Sequence, residues 1–268
     1  MNDNASGFAA AAQPIAAQSV IRTDTAGLAD GLVKLTVGGQ EVPVYYARPA
    51  GQDKRPVMIV VSEIFGLHEH IADVARRFAK QGYLALAPDF FVRQGDPSIL
   101  PDMATIMAQI IRKVPDAQVM GDIDACMAWA ADNGGDVDRL GVNGFCWGGR
   151  MTWLYAAHNP RVKAAVAWYG KLVADPNPPR QPRHPIDVAP TLTVPVLGLY
   201  GAKDAGIPLA TVERMTAALG TGPSDSAIVV YPDAGHAFHA DYRPSYNAKD
   251  ARDGFARALA WFREHGAG

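Results

Sequence analysis

Gly144-Phe145-Cys146-Trp147-Gly148-Gly149 is the stretch on which the reading of this chain turns. A short apolar run containing Leu140 and Val142 precedes it, and a helix-like run follows it. Gly144 and Gly148 flank Cys146 as G-x-C-x-G, a cysteine form of the G-x-S-x-G nucleophile elbow. A nucleophile on a sharp strand-to-helix turn sits in a strained backbone, and side chains two residues to either side would collide. The thiol then stands above the sheet at the positive end of the next helix. That position favours a thiolate and offers backbone N–H donors to an oxyanion.

Working outward, strand and helix patterns alternate. Residues 33–37 and 42–47 alternate around Gly38-Gly39 and predict a β-hairpin. Residues 56–61 form a continuous β-branched apolar run, as a strand buried on both faces requires. Helical spacing follows at 71–81, a strand at 83–87, helices at 103–112 and 117–131, and the elbow strand at 139–143. Beyond the elbow come a helix over 148–158, strands at 164–168 and 194–200, a helix at 209–219, a strand at 227–231 and a helix at 248–264. This alternation defines the α/β class, with a mostly parallel central sheet, helices on both faces and an antiparallel start. The Pro-rich stretch 175–190, carrying Arg180, Arg183 and His184, is expected to form a lid or rim over a site.

At 268 residues with 49% apolar content the chain can bury a large core, and no domain-length linker interrupts it. We therefore expect one α/β domain over 31–268, preceded by a loosely ordered arm over 1–30. The net charge of −2, without a Lys/Arg cluster, argues against a nucleic-acid or membrane partner. The only two cysteines, Cys126 and Cys146, make neither a CxxC pair nor a zinc spacing, so no metal or cofactor is expected. A free elbow thiol suits the cytoplasm. The alanine-rich 7–18 lacks a basic start and is a poor signal peptide, leaving a periplasmic location only for a trimmed leader.

A cysteine nucleophile needs a base, and the base an orienting acid. In elbow hydrolases both follow the nucleophile, acid first, on loops leaving strands. Asp204 lies just past the strand ending at Tyr200, and His236 just past the one ending at Tyr231. His239 shares that second loop. Gly235 favours His236, because a glycine there would permit a tight turn.

Gly144–Gly149, the Asp204 loop and Gly235-His236-Ala237-Phe238 together resemble the dienelactone hydrolase family, a branch of the α/β-hydrolase fold. Ser62-Glu63-Ile64-Phe65-Gly66-Leu67 resembles that family's glutamate loop, and the similarity runs from about Val33 to the C-terminus. The resemblance implies that Cys146, Asp204 and His236 are catalytic and that Glu63 approaches the thiol, taking its proton when substrate binds. Backbone N–H groups of Ile64 and Trp147 are the expected oxyanion donors. The family holds a substrate carboxylate with arginines, and Arg93 matches one of them. Ala240 stands where the second would fall; Arg243 follows three residues later, and Tyr169 is expected in the pocket wall. The implied activity is hydrolysis of a small lactone or carboxylic ester through an acyl-cysteine, by a monomer or small homo-oligomer. Hydrolysis of uncharged or bulkier esters or thioesters, and a redox-sensing thiol without catalysis, are the alternatives.

Overall fold

In the computed structural model, which describes residues 12, 16–174 and 179–268, eight strands form one sheet. The hairpin is longer than its alternation predicts: β1 (Leu28–Val37) and β2 (Gln40–Pro49) pair antiparallel along their full length. Then follow β3 (Arg55–Val61), α1 (Glu69–Lys80), β4 (Leu84–Pro88), α2 (Met103–Gln109) and α3 (Asp116–Asp132). The elbow strand β5 (Gly135–Phe145) leads into α4 (Trp147–His158) and β6 (Val162–Trp168). The short α5 (Pro185–Val188), β7 (Val196–Gly201), α6 (Leu209–Leu219), β8 (Ala227–Tyr231) and α7 (Ala248–Glu264) complete the chain. Among the described residues no helix is long and apolar enough to cross a membrane.

The strand order is β1-β2-β4-β3-β5-β6-β7-β8, parallel from β4 onward, with β2 antiparallel to β4. The order reverses at β3, between β4 and β5, where an open α/β sheet leaves a crevice at its carboxyl edge. Val57, Met58, Ile59, Val60 and Val61 are all fully buried, each contributing roughly 1.5–3 kcal/mol through removal from water. Helices cover both faces of the sheet. Successive side chains alternate across a strand, so Gly141 and Gly144 of β5 face opposite ways. A Cβ on Gly141 would meet Phe262 of α7, while one on Gly144 would meet Thr152 of α4 at 2.3 Å.

Of the expected arm, residues 16–27 are hydrogen-bonded to the domain, and 1–11 and 13–15 lie outside the described residues. Ala16 N–H donates to the Tyr242 carbonyl at 2.8 Å, and Ser19 Oγ to the Asp241 carbonyl at 2.5 Å. Thr23 N–H donates to Asp73 at 2.5 Å, and Lys80 pairs with Asp24 at 2.7 Å. These contacts hold the segment against α1 and the 241–242 turn.

Candidate active site

Five strands of the parallel run each deliver one chemistry-bearing residue at the carboxyl end: Glu63 after β3, Cys146 after β5, Tyr169 after β6, Asp204 after β7 and His236 after β8. The elbow's glycines serve close approach. A Cβ at Gly148 would lie 2.4 Å from the Val61 carbonyl, and one at Gly149 2.5 Å from the Trp168 carbonyl. The backbone strain sits on the cysteine itself, at φ 54°, ψ −114°. Among the described residues only Cys146, Tyr169 and Ala237 are non-glycines with positive φ, and all three border the site. The left-handed residue beside the histidine is thus Ala237, and Gly235 does not supply the turn expected of it. Gly201 matters more: a Cβ there would lie 2.4 Å from the Ala234 carbonyl, where the Asp204 and His236 loops touch. The Lys203 N–H donates to that same carbonyl at 2.9 Å and ties the two loops together.

The structure brings Cys146, His236 and Asp204 into one hydrogen-bonded chain. His236 Nε2 lies 3.3 Å from Cys146 Sγ, and Nδ1 lies 2.7 Å from Asp204 Oδ2. Asp204 Oδ1 accepts from the N–H groups of Gly206 and Ile207 at 2.8 and 3.2 Å, so one oxygen shapes the loop while the other holds the imidazole. Burial disfavours charge on His236, but the Cys146 thiolate and the Asp204 carboxylate outweigh it and raise the imidazole from 6.5 to about 11. His239 is elsewhere, buried against Phe145 and Trp168 at ring separations of 4.8 and 4.5 Å.

Glu63 is 2% exposed, and its Oε2 accepts from the Tyr242 hydroxyl at 2.6 Å. Its Oε1 is buried without a hydrogen-bond partner, and so is the Tyr169 hydroxyl. Burial, reinforced by negative charge at Glu63 and Cys146, pushes the Tyr169 and Tyr242 hydroxyls far above the usual phenol range, so both remain neutral donors.

Cys146 and His236 open onto a cavity of about 570 Å³. Ile64, Trp147 and Tyr169 line it, as do Gln181 and His184 of the Pro-rich stretch, which forms a rim; residues 175–178 lie outside the described set. Arg150 pins this rim: it pairs with Asp116 at 2.7 and 2.8 Å and donates to the Arg183 carbonyl at 2.5 Å.

The two expected carboxylate-binding arginines do not line the cavity. Arg93 forms a two-pronged pair with the fully buried Asp122, both contacts 2.8 Å, and its guanidinium is spent there. Arg243 stacks over Phe65 at 5.2 Å. Sequence reasoning missed Tyr242 and two cavity-lining cations, Arg112 and Lys171. Lys171 could have been found, since it follows Tyr169-Gly170 immediately after β6; Arg112 and Tyr242 carry no local signal. Among the described residues no His, Cys, Asp and Glu cluster could hold a metal.

The elbow, the reversed strand order and the residues at the strand ends define an α/β-hydrolase. The sequence profile of the dienelactone hydrolase family matches residues 42–266, and the chain belongs to that family. It is similar to a Methylorubrum extorquens protein provisionally named carboxymethylenebutenolidase, 56% identical over 98% of this chain and 90% of the relative. A Salmonella typhimurium protein of the same provisional name is 53% identical over 97% of this chain and 96% of its own. A Klebsiella pneumoniae crystal structure, provisionally named a dienelactone hydrolase, superposes at TM-score 0.86 with 54% identity, covering 88% of this chain and 99% of its own. The chain is a dienelactone hydrolase-like carboxylic ester hydrolase.

Proposed function

We propose that the chain hydrolyses a lactone or carboxylic ester through an acyl-Cys146 intermediate, with Asp204 and His236 completing the catalytic set. The observation that carries this reading is the Sγ–Nε2 contact of 3.3 Å, backed by the 2.7 Å bond to Asp204, at the inner end of an open cavity. Cys146 Sγ attacks the carbonyl carbon, and the carbonyl π electrons move onto oxygen. The Trp147 and Ile64 backbone N–H groups receive that oxyanion. On collapse the C–O bond breaks, and the leaving alkoxide takes the proton from the His236 imidazolium. In a lactone the alcohol stays tethered to the acyl group. Water then attacks the thioester with His236 as general base, releasing the acid and regenerating the thiolate. Asp204 keeps Nδ1 protonated and the ring oriented. Glu63 is the alternative acceptor of the thiol proton, held by Tyr242 with one oxygen unpartnered.

The relatives' names point to carboxymethylenebutenolide, a small carboxylate-bearing lactone. The cavity's size and the engagement of Arg93 with Asp122 favour a bulkier substrate. Rapid quench of a chromogenic ester followed by intact-protein mass spectrometry tests the mechanism. An acyl adduct on Cys146, absent in Cys146→Ala, is expected; full turnover by Cys146→Ala would refute it.

A further inference from the structure

The segment before β1 clamps the Glu63 loop from two sides. That loop runs from the end of β3 to the start of α1, and Tyr242 holds its carboxylate. The backbone of the 241–242 turn is gripped from outside. Ser19 Oγ donates to the Asp241 carbonyl at 2.5 Å, and Ala16 N–H to the Tyr242 carbonyl at 2.8 Å. Ser19 N–H closes on the Ala16 carbonyl at 3.0 Å, which shapes this end of the strap as a turn. Four residues beyond Ser19 the strap is fastened to α1. Thr23 N–H donates to Asp73 at 2.5 Å, and the Thr23 carbonyl accepts from Arg76 Nε at 3.0 Å. Four residues of chain reach about 13–14 Å at most, so the strap limits how far the turn can stand from α1. On its inner side the turn is committed to the site: Tyr242 is fully buried on Glu63, and Asp241 holds His70 and Arg77 of α1. Those inner contacts are made by side chains. The outer ones hold the two carbonyls, and with them the orientation of the backbone from which the Tyr242 side chain departs. Residues 16–23 lie outside the 42–266 that match the family, so the strap is no part of that shared stretch.

We propose that Ser19 is a positioning residue for the hydrolase: by holding the Asp241 carbonyl it sets the turn from which Tyr242 reaches Glu63, and so sets where the Glu63 carboxylate stands at the site. The proposal deepens the hydrolase reading above and rests on the part given there to Glu63. Ser19 touches neither the nucleophile nor the cavity; it acts through Tyr242. A shift of about 1 Å at a reacting group can cost about a hundredfold in rate. Loosening one link of this chain should cost a fraction of that.

The test is hydrolysis of a neutral chromogenic ester by the full chain. Ser19→Ala should lower kcat about fivefold, the scale of one lost hydrogen bond, and leave KM little changed. Ser19→Thr keeps the hydroxyl and should restore kcat. In a Tyr242→Phe background, where the turn no longer bonds Glu63, Ser19→Ala should cost less than about twofold. Asp24→Asn removes an exposed contact of the strap with Lys80 of α1, away from the turn, and should leave kcat unchanged. The proposal is overturned by an unchanged kcat in Ser19→Ala, by an equal loss in the Tyr242→Phe background, or by an equal loss in Asp24→Asn. Should Ser19→Ala not fold, Ala16→Pro takes its place with the same loss expected, since it removes one N–H donor from the same turn. Hydrogen exchange read by mass spectrometry needs no ester. Ser19→Ala should speed exchange in peptides covering 62–68 and leave those covering the Asp204 loop as they are. Unchanged exchange at 62–68 would overturn the proposal. Faster exchange there, in a protein whose wild type hydrolyses no ester, would keep the strap's grip on Glu63 and sink the acyl-thiol reading instead.

Discussion

Tyr242 donates its hydroxyl proton to Glu63 across 2.6 Å, joining residues 179 positions apart in a buried contact. The bond fixes one carboxylate oxygen and leaves the other free of partners beside the site. The same 241–242 turn is strapped from outside by Ala16 and Ser19. Tyr242→Phe removes the donor and leaves a buried charge under-satisfied, at a cost of about 1–3 kcal/mol. We expect a lower urea midpoint and a kcat about tenfold lower, with KM for a neutral ester little changed. An unchanged kcat would show that Glu63 needs no positioning from Tyr242.

At position 146 the usual order of alanine and glycine should invert. Gly normally costs roughly 0.5–1 kcal/mol relative to Ala in regular structure, but a φ of 54° with ψ −114° strains any side chain. Cys146→Gly should therefore be more stable than Cys146→Ala by about 1 kcal/mol, with both inactive. Urea denaturation of the two variants decides it, and a more stable alanine variant would mean that the strain is not stored there.

Only one of the two thiols should react. Cys126 is fully buried, and burial pushes its thiol far up, whereas Cys146 is partly exposed at a helix start beside an imidazolium. Iodoacetamide followed by peptide mapping should label Cys146 first, and faster labelling of Cys126 would exclude the proposed nucleophile. The raised imidazole should keep His236 protonated through pH 8, followed by its ring proton resonance. Cys146→Ala, which deletes the thiolate, should move that titration to lower pH.

Arg93→Ala should act on stability and not on substrate charge. It abandons Asp122, whose side chain is 0% exposed, as an uncompensated buried carboxylate, a change that costs about 3–5 kcal/mol. Thermal melting should drop, and whatever activity remains should keep its preference between charged and neutral esters. Selective loss of the charged ester would restore Arg93 to the site.

Asp241 gives the fold an acid-sensitive clasp. Burial alone would raise its carboxyl, but the His70 hydrogen bond and the Arg77 guanidinium prevail and lower it from 3.8 to about 2. A depressed folded-state value stabilises above the unfolded one and is lost as pH falls. This contribution is therefore complete above about pH 5 and gone below about pH 2, and it amounts to roughly 2 kcal/mol. Asp241→Asn should flatten the melting temperature between those limits and lower it at pH 7. An unaltered acid limb would assign the acid sensitivity to other carboxylates.

Legibility in the sequence followed the range of the interaction. The strand period, the burial of 57–61 and the turn chemistry are local, so the order of elements was readable, although β1 and the elbow strand begin five and four residues before their expected starts. The elbow was readable for the same reason: its glycines answer a collision within one turn, between Gly144, Gly148 and Thr152. Asp204 and His236 were readable because a parallel sheet presents every strand's carboxyl end at one edge, so a post-strand position is already a spatial statement. The Ala237 turn escaped, since it depends on the packing of the Asp204 and His236 loops, thirty-two residues apart in the chain.

What an arginine binds is decided by tertiary structure alone. Nothing near Arg93 announces that Asp122, twenty-nine residues on, will occupy its guanidinium, nor that Arg243 will lie over Phe65. The chain by itself determined the α/β-hydrolase architecture and the positions of Cys146, Asp204 and His236 at strand ends, because both follow from short-range periodicity and motif. Folding decided that Arg112 and Lys171 line the cavity while Arg93 is bound to Asp122, because a charge takes its role from the neighbours packed around it, and those come from distant elements.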